Sequence, residues 1–152
     1  MINAQPGTYA LILTSTEAAS IRVGKIGNLQ LQPGFYVYVG SARGPGGLRA
    51  RLAHHLKPTG RLYWNIDYLR AHTIPEEVWF CYDRTLWEHR WARCLGLQRG
   101  ASIPLPGFGS SDCTCESHLF FFGSQPSRAA FGRRLRVFDR RHPHVRLRRL
   151  EQ

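Results

Sequence analysis

The stretch of this 152-residue chain that most restricts its fold is Gly34-Phe35-Tyr36-Val37-Tyr38-Val39-Gly40-Ser41-Ala42, followed after a loop by Leu48, Leu52 and Leu56. The first run is short, aromatic and β-branched, and reads as a strand. Leucines recurring every four residues then mark a short amphipathic helix over residues 48–56. The loop between them, residues 41–47, contains Gly44, Pro45, Gly46 and Gly47 and is flexible by composition. The strand delivers Tyr38. The helix sets Arg51 and His55 on one face, with Cβ atoms about 5–6 Å apart, so the two side chains can address one phosphate.

The remaining elements alternate in type. Residues 8–14 read as a strand after the break at Pro6-Gly7, and Ile21-Arg22-Val23-Gly24 alternates with period two. A helix is expected over residues 64–72 and a strand over 77–82, bounded by Pro75 and Asp83. Thr85-Leu86-Trp87-Glu88 has the form of a capping box and predicts a helix to about Leu97, ended by Gly100. Residues 104–109 are a Pro- and Gly-rich loop, and Ser117 to Phe122 reads as a last buried strand. The fold class is therefore α/β (α+β), a small antiparallel sheet flanked by helices.

Length suits one core domain, drawn here at residues 1–126, with a basic C-terminal extension over 127–152. Net charge is +11, and all but Lys25 and Lys57 of the 21 basic residues are arginine. GC-rich codon usage can exchange Lys for Arg, but it does not create the excess of positive charge. Arginine's planar fork of donors matches phosphate oxygens, so nucleic acid leads the possible partners. The extension carries nine Arg against Asp139 and Glu151, a net +7, which leaves +4 for residues 1–126. It can be an arm on a phosphate backbone, or a terminal helix packing Phe131, Leu135 and Phe138, and the two can coexist. No apolar run approaches the roughly 18 residues of a membrane span. No signal peptide is visible at the N-terminus, and four irregularly spaced cysteines do not make a secreted disulfide framework, so a cytoplasmic location is expected.

Tyr9, Tyr38, Arg51, His55 and Glu88 together supply what phosphodiester hydrolysis needs: hydroxyls and an imidazole to handle water, a cation for phosphoryl charge and a carboxylate for a metal ion. Singly, each has a plainer reading. A strand tyrosine commonly packs, Arg51 and His55 can be a solvated helix face, and Glu88 can cap the Thr85 amide.

As a set these residues resemble the GIY-YIG nuclease superfamily. Gly7-Thr8-Tyr9 is similar to its first motif and Tyr38-Val39-Gly40 to its second, while Arg51, His55 and Glu88 stand where the superfamily keeps an arginine, a histidine and a metal-binding glutamate. The resemblance is closer to the small stand-alone subfamily labelled domain of unknown function 123, the Uri-type endonucleases. It runs through Pro33 to Ala42, Gly46-Gly47-Leu48, Trp64 to Leu69 and Gly107 to Cys113, and covers residues 6–123. The 28 residues between Tyr9 and Tyr38 and the long loop from Gly40 to Arg51 are similar to that subfamily, and Asn65 stands where its members commonly have histidine.

The resemblance implies a metal-dependent endonuclease that hydrolyses DNA with one Mg²⁺ or Mn²⁺ and no small-molecule cofactor. Tyr9 and Tyr38 would position or deprotonate the attacking water. Arg51 would stabilise phosphoryl charge, His55 would assist proton transfer or contact the phosphate, and Glu88 would hold the ion. Ser110, Asp112 and Asn65 are supporting candidates. DNA, single-stranded, duplex or branched, is the expected partner, with Arg43, Arg49, Arg133, Arg134, Arg140 and Arg141 on its backbone. The alternative is a non-catalytic nucleic-acid-binding module that keeps the fold and acts with DNA-repair partners.

Cys113-Thr114-Cys115-Glu116-Ser117-His118 offers three soft ligands, which Cys94 or Cys81 could complete. Zinc normally takes four in paired, well-spaced sets, and this spacing is not one of them, so structural zinc is not expected. The other reading packs the cysteines beside the last strand, with Ser111 or Asp112 lining the site.

Overall fold

The computed structural model describes residues 2–57, 62–110 and 114–150. Its centre is β1 (Gly7–Ser15), which pairs antiparallel with β4 (Gly34–Ala42) on one side and β5 (Ile74–Tyr82) on the other. β6 (Leu119–Phe122) extends the sheet beyond β4 and β7 (Arg146–Arg149) beyond β5, giving the order β6-β4-β1-β5-β7. A strand covered on both faces needs apolar residues in succession rather than alternation, which is why Thr8 to Leu13 are all buried.

Both sheet faces are covered, by different elements. Odd-numbered residues of β1 and even-numbered residues of β4 point to one face, where Tyr9, Leu11 and Tyr38 meet α1 (Gly47–Leu56), α2 (Asn65–Arg70) and the hairpin of β2 (Ala19–Val23) and β3 (Gly27–Leu31). The other face carries Ala10, Ile12, Val39 and Trp79 beneath α3 (Glu88–Gly96) and α4 (Arg128–Phe138). Trp79, Trp91 and Phe131 are fully buried there, and truncating any of them to alanine typically costs about 3–5 kcal/mol.

The expected α/β class, with its antiparallel sheet and flanking helices, is the observed one. Two elements were not expected, β3 and β7. The extension contributes a helix and an edge strand: Phe131 and Leu135 are buried, Phe138 is exposed, and β7 pairs Glu77 with Arg149 through Phe80 with Arg146. The helix expected from Thr85 begins later, at Glu88. The Trp87 amide donates to Thr8 Oγ1, the Trp87 indole to Asp83 Oδ2, and the Thr85 amide to Asp83 Oδ1, so the segment before α3 is anchored to β1 and to its own turn. Glu88 therefore does not cap the Thr85 amide.

α1 starts abruptly because Gly46 (φ 86°) and Gly47 (φ 54°) turn the chain through left-handed backbone that other residues resist. The amides of Leu48 and Arg49 then donate to the carbonyls of Gln5 and Asn3. This fixes the helix axis over the end of β4. Among the described residues no helix is long and apolar enough to cross a membrane.

Candidate active site

The register sets Tyr9 opposite Gly40 and Leu11 opposite Tyr38, so the two tyrosines are diagonal neighbours on one face, with ring centroids 6.4 Å apart. A Cβ on Gly40 would collide with the Tyr9 hydroxyl, so the glycine makes room for the phenol. His55 comes down from α1 onto both rings, 5.5 Å from Tyr9 and 5.9 Å from Tyr38 between centroids. Its Nε2 lies 2.6 Å from the Tyr9 hydroxyl, and its buried Nδ1 has no hydrogen-bond partner.

Electrostatics keep this trio uncharged. Burial, with His54 and Arg51 nearby, lowers the His55 pKa to about 3, so the imidazole is neutral. Burial and the Tyr38 phenol raise Tyr9 well above its ordinary value, although Arg51 pulls the other way. Tyr38 is raised too, by burial and by the Glu88 carboxylate. Neither phenol is a standing phenolate.

Arg51 donates from Nη1 to the Ser41 carbonyl at 2.8 Å, and its guanidinium stacks 4.7 Å above the exposed Trp64 ring. Five N–H donors leave it further capacity for an anion. Trp64 is in turn positioned by Asp67, whose carboxylate accepts from the Tyr63 and Trp64 amides at 2.9 and 3.0 Å and lies 3.2 Å from His54 Nε2.

Glu88, at the start of α3, closes the other side. Its Oε2 is 3.1 Å from His118 Nδ1, and the buried Ser41 hydroxyl, without a hydrogen bond of good geometry, faces the same carboxylate. Burial alone would raise the Glu88 pKa; His118 and Ser41 outweigh it and hold the group ionised below the usual carboxylate value. His118 is seated by its backbone, with N donating to the Phe108 carbonyl and O accepting from the Val39 amide. Tyr9, Tyr38, His55 and Arg51 thus come together on the α1 face, and the Glu88 carboxylate on α3 is near enough to act electrostatically on both phenols.

Residues 8–137 match the family described as Domain of unknown function DUF123. The chain belongs to the DUF123 family. No curated protein and no solved structure matches it.

Within this DUF123 fold, Asn65 accepts from the Gly109 amide at 2.7 Å and so ties α2 to the turn beneath Tyr38. Ser110 is buried in that turn, and Asp112 and Cys113 lie outside the described residues. Arg43 and Arg49 are exposed on the α1 side. Arg133 and Arg134 are exposed on α4, the layer away from the tyrosines, while Arg140 and Arg141 follow it, beside the α3 turn that Arg90 ties to Asp139. Cys81 and Cys94 are buried in the α3 layer, their thiols pushed up to about 12 and about 11 by burial, and they do not join Cys115 and His118.

Four contributors were not singled out as site residues by sequence: Ser41, Trp64, Asp67 and His118 as the partner of Glu88. Asp67 had a signal, since it stands three residues after Trp64, where an acidic residue reaches back to helix-start amides. The pairing of His118 with Glu88 spans 30 residues and has no local signature.

Proposed function

We propose that this protein is a GIY-YIG-type, Uri-like endonuclease that hydrolyses DNA phosphodiester bonds with one divalent ion. The observation that carries the reading is the 2.6 Å hydrogen bond between Tyr9 and neutral His55, beside Tyr38 and Arg51 and within electrostatic reach of Glu88. In the productive tautomer the Tyr9 hydroxyl donates to His55 Nε2 and accepts from water. As water attacks phosphorus, its proton passes to Tyr9 and the Tyr9 proton to His55. The phosphate's negative charge at Arg51 offsets one of the cations that hold His55 neutral, which raises its basicity when it is needed. Arg51 meets the charge growing on the phosphoryl oxygens, and Tyr38 confines the water.

The donor set fits Mg²⁺ or Mn²⁺ at Glu88. One ionised carboxylate, with one oxygen engaged by His118, suits a cation that keeps several waters and takes only one or two protein carboxylates. When bound, the ion would supply Lewis-acid stabilisation of the phosphoryl and leaving oxygens. Exposed Tyr63 and Trp64 beside Arg51 offer aromatic faces for nucleobases, and the net charge of +11 supplies salt-sensitive affinity.

The closure of the site favours the second reading, a DNA-binding module without cleavage, because Tyr9 is fully buried and His55 nearly so. Labelled single-stranded, duplex and branched DNA incubated with Mg²⁺ or Mn²⁺ separates the two. Cleavage should appear and fall on the order of 10²–10³-fold in Arg51→Ala, with a comparable loss in Glu88→Ala. If no substrate is cut and binding is unchanged in Glu88→Ala, the module reading stands instead.

A further inference from the structure

We propose that His89, Cys115 and His118 form a binding site for a soft divalent cation, zinc foremost, where the first turn of α3 meets the segment before β6. One ligand atom from each residue lies within 4.8 Å of the other two. The His89 and His118 rings are 5.8 Å apart between centroids and tilted by 45°. Zinc with Zn–N of about 2.0–2.1 Å and Zn–S of about 2.3 Å spaces its ligands roughly 3.3–3.8 Å apart, so side-chain rotation closes the triangle. His89 is exposed and has room to rotate.

Two imidazoles and a thiolate select zinc over the oxygen-seeking Mg²⁺ and Ca²⁺. With His118 Nδ1 turned to Glu88 Oε2 at 3.1 Å, Nε2 is the nitrogen that ligates. A carboxylate holding the far nitrogen of a metal-bound histidine fixes its tautomer and ring direction. A cleft of about 490 Å³, lined in part by His89, Arg93, Thr114, Cys115 and Phe120, gives the ion a path from solvent. On binding, the Cys115 S–H bond breaks, its proton leaves to solvent, and sulfur bonds the metal.

Its ligands are distinct from the carboxylate proposed for Mg²⁺, and His118 links the two by its contact with Glu88. The site would pin α3 to β6 and hold His118 against Glu88. Binding itself does not depend on the nuclease reading.

The test is tag-free protein stripped with a chelator, then titrated with Zn²⁺ and, as a spectroscopic probe, Co²⁺. One Zn²⁺ per chain should survive desalting, and Co²⁺ should give a thiolate charge-transfer band that Cys115→Ser abolishes. His89→Gln, at an exposed position that folding does not need, should weaken Zn²⁺ binding by more than the ~10–100-fold that loss of an outer-shell partner costs. The proposal fails if no Zn²⁺ is retained, or if retention is unchanged in His89→Gln. It fails also if retention is lost in His54→Gln instead, which would place the ion at the His54, His55 and Asp67 group. No readout uses DNA cleavage, so its outcome is separate from that of the nuclease reading.

Discussion

His55 and His142 lie in opposite layers of the same sheet, both 2% exposed and both lowered in pKa by burial, yet their surroundings differ. His142 accepts the Trp91 indole N–H at Nε2, 2.8 Å away, so its proton is on Nδ1, which donates to the Pro143 carbonyl at 2.7 Å. Both nitrogens are satisfied. His55 has one partner, Tyr9, and leaves Nδ1 unsatisfied inside the protein. A buried polar atom without a partner costs about 1–3 kcal/mol, so His55 carries a burden that His142 does not. Burdens of this kind collect where function rather than packing selects the residue.

The contrast can be broken most directly on the α1 side. Tyr9→Phe combined with His55→Leu removes both partners of one hydrogen bond, and stability should stay within about 1 kcal/mol in urea titrations. DNA cleavage should fall on the order of 10²–10⁴-fold in the same protein. A large stability loss there would make the pair structural. His142→Ala should do the reverse, costing ~2–4 kcal/mol by leaving the Trp91 N–H without an acceptor and opening a cavity. Per-molecule cleavage by the folded fraction should be little changed.

Acid titration sharpens the same comparison. His55 has a pKa of about 3 in the fold against an ordinary 6.5, so between those values the unfolded chain binds more protons. Stability should be constant in this respect above pH ~6.5 and fall on acidification by up to ~1.4 kcal/mol per pH unit. The Tyr9/His55 double variant should show a shallower decline, with the lowered His142 and Glu88 supplying what remains. The smallest effect concerns the surface: Arg43→Ala with Arg49→Ala should reduce the salt slope of duplex binding by up to ~0.9 per lost phosphate contact. Arg133→Ala with Arg134→Ala should leave it unchanged if DNA lies on the tyrosine side, and an equal reduction would mean that DNA reaches both layers.

What the sequence made legible follows from the range of the forces involved. β1, β4 and α1 are written in local period and turn chemistry, and Tyr9, Tyr38, Arg51, His55 and Glu88 stood out as candidates because motif spacing accompanies them. β3 was missed because Gly27-Asn28-Leu29-Gln30-Leu31 is short and half polar, so only its pairing with β2 makes it a strand. β7 was missed because arginines dominate it, and charge marks an edge strand as readily as an arm. Glu88 was placed in a capping box because the pattern is local, whereas the Thr8 hydroxyl that holds the Trp87 amide lies 79 residues away. The bonds that finish the site, His118 to Glu88 and Asn65 to Gly109, are likewise long-range.

The arginine-rich strand at the rim has a consequence for how these molecules meet each other. Three of the four residues of β7 are Arg146, Arg148 and Arg149. Were two copies to approach rim to rim, like charges would come within roughly 5 Å across the new pairing, an opposition that destabilises strand addition. Without that strand, β5 would present Val78, Trp79 and Phe80 along an open ladder of unpaired amides and carbonyls. β7 thus acts as a selvedge, finishing the sheet so that it does not knit onto its neighbour in a crowded solution.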